Sequence, residues 1–215
     1  MKKLFFALLA ASAALATSSP AVAANGELPA QEVFDVGRCI VNQDRSAAVG
    51  FLQAVPVDSE TADLSLLPQS IAQRCADGFG TAKSLLIRGA IAQALFFRDF
   101  GGFGLEPRRS VPLVNLALPV QDSPEGSVRN ELYRWADCVV RNDADHSERL
   151  MQSRVGSETE ATMIGHLRPY LQVCAPASAQ FSVAPAELRA VIAQSAYHSM
   201  YRYWTRNLQS TRGGE

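Results

Sequence analysis

Ser84-Leu85-Leu86-Ile87-Arg88-Gly89-Ala90-Ile91-Ala92-Gln93-Ala94-Leu95-Phe96-Phe97 is the stretch that decides the fold. Leu85, Leu86, Ile87, Ala90, Ile91, Ala94 and Leu95 make a helix here apolar on most sides, and such a helix belongs in the middle of a core. Its centre returns later in the chain. Arg88-Gly89-Ala90-Ile91-Ala92-Gln93 matches Arg189-Ala190-Val191-Ile192-Ala193-Gln194 at an offset of 101. Working outward, Cys39 and Cys75 lie 36 positions apart, and Cys138 and Cys174 repeat that spacing at an offset of 99. Ile40-Val41 after Cys39 corresponds to Val139-Val140 after Cys138. The pattern reads as one module of roughly a hundred residues built twice, each copy with its own cysteine pair. The expected fold is all-α, two tandem helical modules each closed by one intramodule disulfide.

The N-terminus carries a compartment signal. Met1-Lys2-Lys3 is basic, Leu4 to Ala16 is apolar, and Ala21-Val22-Ala23 follows as a small-residue cleavage pattern. The apolar run of about 13 residues falls short of the roughly 20 that span a bilayer. Residues 1–24 are expected to be a signal peptide cut near Ala23 or Ala24, giving a periplasmic or secreted product with no transmembrane segment. Disulfides persist in such compartments. Four cysteines allow three pairings, and a bridge that preceded duplication joins Cys39 to Cys75 and Cys138 to Cys174. Each would close a loop worth about 4 kcal/mol in the chain-entropy model.

Copy one spans 25–100 and copy two 130–209, with a connector at 101–129 and a polar tail at 210–215. Expected helices in copy one cover Gln31 to Val41, Arg45 to Gln53 with Asp44 as cap, a third begun by Asp58-Ser59-Glu60, and Ser84 to Phe97. Copy two repeats the order, with Asp143 or Asp145 capping its short second helix, Ser157 starting the third, and Pro185 in the first turn of the last. Val111 to Val120 is apolar and flanked by prolines, an extended connector expected to lie in a groove, and Asp122 to Gly126 reads as a hinge.

Composition narrows the chemistry. The chain holds 20 basic and 21 acidic residues, and removal of Lys2 and Lys3 leaves a mildly acidic protein with Lys83 as its single lysine. No basic block supports nucleic-acid binding. No G-x-S-x-G, H-E-x-x-H or P-loop occurs, the cysteines lack C-x₂-C spacing, and no cofactor or metal is implied. Asn142-Asp143-Ala144-Asp145-His146-Ser147-Glu148 is the densest polar cluster, but copy one keeps only Asp44 of it, which favours helix capping over catalysis. His166 and His198 read as surface or boundary residues. Arg88 and Arg189 lie on apolar helices and need partners, because an unpaired buried charge is costly. Asp44 and Asp143 are the shared acids available to them. The alternative is an anion contact at a twofold-like site, with Gln93 and Gln194 as neighbouring hydrogen-bonders. Tyr197, Tyr201, Tyr203 and Trp204 make the last helix aromatic, and with Arg202 and Arg206 it has the composition of a contact surface. Tyr133 and Trp135 belong to the same wall.

Cys138-Val139-Val140, Cys174 and Leu188 to Gln194, with looser versions in copy one, resemble uncharacterised exported bacterial proteins with a duplicated two-cysteine helical module. That resemblance implies no known activity. The expected function is a non-catalytic envelope protein binding a protein partner or small ligand through the inter-module groove and the aromatic C-terminal helix. Its expected contacts are Arg88, Arg189, Gln93, Gln194, Tyr197, Tyr201 and Trp204. A periplasmic hydrolase using Asp143, Asp145 and Glu148 is the alternative, and a purely structural envelope role the third.

Overall fold

The computed structural model describes residues 28–55, 59–77, 81–105, 124–175 and 183–212. The signal segment and the Val111 to Val120 connector lie outside them. The first half holds α1 (Ala30–Gln43), α2 (Arg45–Ala54), a short β1 (Thr61–Asp63), α3 (Gln69–Cys75), β2 (Thr81–Lys83) and α4 (Ser84–Phe100). The second holds α5 (Pro124–Asn142), α6 (Ala144–Gln152), α7 (Glu158–Val173) and α8 (Pro185–Arg212). The fold is all-α apart from the antiparallel β1–β2 pair, and Cys39–Cys75 and Cys138–Cys174 are both bonded, with Cα atoms 5.5 and 5.7 Å apart. Each bridge ties the first helix of its half to the end of the third.

Local chemistry sets the helix ends. Asp44 accepts from the amides of Ser46 and Ala47 and starts α2; Asp143 accepts from the amide of His146 and starts α6; Ser157 accepts from Glu160 and starts α7. Pro185 opens α8, where its missing N–H costs nothing. Three expectations are corrected. The helix expected to start at Asp58-Ser59-Glu60 does not run on from there, because residues 61–63 pair with 81–83 and a 3-10 turn (Leu64–Leu66) precedes Pro68, which stands just before α3. The connector expected to reach 129 gives way to α5 from Pro124, a residue that suits a first helical turn, so residues 124–126 of the expected hinge are helical and Asp122 lies outside the described residues. The tail expected from 210 is helical as far as Arg212, where α8 ends.

α4 and α8 form the centre, and α1 and α5 flank them. Ile87, Ile91, Leu95 and Phe96 of α4, and Val191, Ile192, Ala193 and Ala196 of α8, are fully enclosed. Close approach is bought with small residues. A Cβ placed on Gly89 would lie 2.3 Å from that of Ala190, and one on Gly37 of α1 would lie 2.6 Å from that of Ala90. Glycine weakens a helix interior by about 1 kcal/mol relative to alanine, so at position 89 it is explained by the contact rather than by the helix.

Candidate functional site

Arg88 and Arg189, on the two central helices, are 2% and 1% exposed. Arg88 donates from Nη1 to the carbonyls of Leu52 (2.6 Å) and Val55, at the end of α2. Arg189 donates to the carbonyls of Met151 (3.2 Å) and Ser153 (2.9 Å) and to the Ser153 hydroxyl (2.6 Å), at the end of α6. Each guanidinium therefore satisfies carbonyls that a helix terminus leaves without intrahelical donors, at the negative end of the helix dipole. The expected partners, Asp44 and Asp143, do not pair with either arginine; both carboxylates are taken by helix starts. Arg189 instead meets Glu160 of α7 at 2.9 Å, with both side chains almost fully enclosed. Burial holds the Arg189 guanidinium below its ordinary pKa, and Glu160 opposes that shift. The Phe34 ring lies 5.5 Å from the Arg189 guanidinium carbon.

The two arginines also exchange partners across the molecule. Arg88 Nε donates to Gln194 Oε1 (3.2 Å), and Arg189 Nη1 donates to Gln93 Oε1 (3.4 Å). Residues matched at an offset of 101 are thus cross-linked between α4 and α8.

Beside Arg189 opens a cleft of about 630 Å³. Gln31, Phe34, Asp35 and Arg38 of α1 form one wall, Gln93 and Phe97 of α4 another, and Met151 to Val155 with Arg189 the third. An adjoining recess of about 370 Å³ shares Phe34, Arg38, Gln93 and Phe97, and adds Asn42 and Arg98. The Gln31 amide oxygen accepts from the Val155 backbone (3.0 Å) and pins the α6–α7 connection to α1. The cleft therefore lies between the two disulfide-closed halves.

Of the seven expected contacts, Arg189 and Gln93 line this cleft. Arg88, Gln194 and Tyr197 are enclosed, and burial pushes the Tyr197 hydroxyl up to about 12, with Asp99 adding to the shift. Tyr201 is 46% exposed, and Trp204 is half-buried against Phe103, with ring centres 4.7 Å apart. The aromatic helix thus divides between core and surface. Tyr133 donates to Gln194 Oε1 (2.6 Å) and Trp135 to the Leu171 carbonyl (2.9 Å), so both serve the interior.

In the polar cluster, His146 Nδ1 stands 2.8 Å from Asp143 Oδ2, and its ring stacks on His166 with centres 4.4 Å apart. Asp145 pairs with Arg149 in solvent. Glu148 has its carboxyl raised by burial, against a hydrogen bond from the Leu105 amide. Among the described residues no group of three or more His, Cys, Asp or Glu side chains could hold a metal, and no helix is long and apolar enough to cross a membrane. His198 is half-buried, as expected of a boundary residue, but its ring nitrogen points inward. Its Nε2 is buried and has no hydrogen-bond partner among the described residues, and burial, reinforced by Arg88 and Arg202, pushes its pKa down to about 4.

Sequence reasoning passed over Glu160, Phe34, Arg38 and Arg154. Glu160 has Thr61 at the matching offset of 99, so the repeat carried no trace of a buried acid there. The other three become site residues only through packing between halves. No family model, curated protein or solved structure matches the chain.

Proposed function

We propose that this is an exported, non-catalytic envelope protein built from a duplicated module, which holds a small ligand in the cleft between its halves. The observation that carries the reading is that cleft: an opening of about 630 Å³ with polar and aromatic walls from both halves, within the size range of small-molecule sites of roughly 300–1,000 Å³. The reciprocal Arg–Gln exchange between residues 101 apart supports duplication. The two formed disulfides support residence in an oxidising compartment. Native mass spectrometry of the mature protein taken from its own envelope extract tests it. A mass above the bare chain, absent from a folded Val155→Trp variant whose indole fills the cleft, is expected. A bare mass in both, with no ligand recovered after denaturation, would count against the reading.

One observation favours a second reading, a hydrolase. Asp143 orients the His146 imidazole at 2.8 Å, the arrangement of a general base held by a carboxylate. Hydrolytic turnover that disappears in His146→Gln while the fold persists would support it. Turnover that survives there, or none at all, would remove it.

A further inference from the structure

We propose that the cleft is selective for a small carboxylate with an apolar body; this rests on the ligand-binding reading and names the ligand's chemical class. Two residues at matching positions show where a ligand's polar atom belongs. Gln194 is completely enclosed and fully used: its Oε1 accepts from Arg88 and from the Tyr133 hydroxyl, and its Nε2 donates to the carbonyls of Leu85 and Ala190. Gln93, its counterpart at an offset of 101, is half-buried on the cleft wall and bonds only Arg189, at 3.4 Å. The counterpart of Tyr133, at an offset of 99, is Phe34, which brings no hydroxyl. Gln93 therefore keeps an Nε2 donor without a partner among the described residues, in a wall open to solutes.

Charge sets the sign of the ligand. The chain as a whole is −1, yet the cleft and its recess carry the exposed side chains of Arg38, Arg98 and Arg154 against the single carboxylate of Asp35. Asp35 is engaged by Arg38 at 2.5 Å, and the Arg154 side chain has no hydrogen-bond or ion-pair partner among the described residues. Arg189 contributes no free donor, since Glu160, Gln93, Met151 and Ser153 take its N–H groups. Direct recognition thus falls first to Arg154, whose planar fork matches a carboxylate, and second to the N–H groups of Arg38 that Asp35 does not take. Phe97 and Val155 supply the apolar surface between them. A carboxylate on the arginines, a body against Phe97 and a polar atom at Gln93 use all three features at once.

An NMR titration of the mature protein at low ionic strength, with phenylacetate, 2-phenylethanol and phenethylamine as probes, tests this. Phenylacetate is expected to shift amides in 31–38, 93–98 and 151–155 in a saturable way, and phenethylamine is not. Arg154→Gln and Arg38→Gln should each weaken phenylacetate by about tenfold, the loss of one charge-assisted contact. Equal binding of the alcohol or the amine at those residues would overturn the anion preference while leaving the cleft as a binding site. Absence of phenylacetate binding, or binding unchanged in both variants, would overturn the inference whether or not native mass spectrometry finds another ligand.

Discussion

At the scale of single residues, two positions are governed by burial rather than by local preference. His198 ordinarily titrates near 6.5, and in the fold its pKa falls to about 4. The folded state therefore resists protonation that the unfolded chain accepts. His198's contribution is fully present above pH 6.5 and is lost as pH falls toward 4, by up to about 3 kcal/mol. Urea unfolding across pH 7.5 to 4 should show that loss, and His198→Phe, the residue type at the matching position 97, should flatten it; an unchanged slope would show that His198 is not the group responsible. Gly89 makes the opposite point about propensity. Alanine there should gain about 1 kcal/mol of helix preference, but its methyl would lie 2.3 Å from the Ala190 methyl. Gly89→Ala is expected to lower stability by about 1–3 kcal/mol, the cost of overpacking, whereas the open Gly50→Ala should stabilise α2. Both are read from denaturation midpoints.

At the scale of elements, the short helices α2 and α6 are held at their C-terminal ends by arginines from the central pair. This is a design in which a long apolar helix carries one cation to close its neighbour's last turn. In the second half the cation is also balanced by Glu160, which itself accepts from the Gly156 amide at 2.6 Å. Glu160→Gln should cost about 3–5 kcal/mol, because it leaves Arg189 buried without its counter-charge. Hydrogen exchange in that variant should rise first in α6, α7 and their connection; a uniform rise across both halves would contradict the assignment. The periodicity of α1, α4, α5 and α8 was legible because apolar faces recur at helical spacing. The β1–β2 pair was not, because three residues each side leave no period to read and the pairing is between segments 20 positions apart.

At the scale of the molecule, each disulfide joins the first and third helices of its own half, while α4 and α8 join the halves. The bridges therefore stabilise each half separately. Paired serine substitution at Cys39 and Cys75, or at Cys138 and Cys174, should lower stability by about 2–4 kcal/mol each. Because α4 and α8 share one core, either pair should still unfold in a single calorimetric transition. Two separated transitions would show that the halves fold as independent units.

The residues by themselves determined the all-α class, the two cysteine pairs and the helix starts at Asp44 and Ser157, and narrowed the α6 cap to Asp143 or Asp145, because helical periodicity, loop closure and capping are local or repeated along the chain. They also marked Arg88, Gln93, Arg189 and Gln194 as matched groups. Only the tertiary structure decided that Gln93 stands half-buried on a cleft wall beside the enclosed Arg189, while its counterpart Gln194 is fully enclosed with Arg88. The two sides also differ in that the Tyr133 hydroxyl reaches Gln194, where the other half has Phe34 on the cleft wall. Which of two matched sites stays open depends on side chains brought together across the interface, and no periodicity within one half records them.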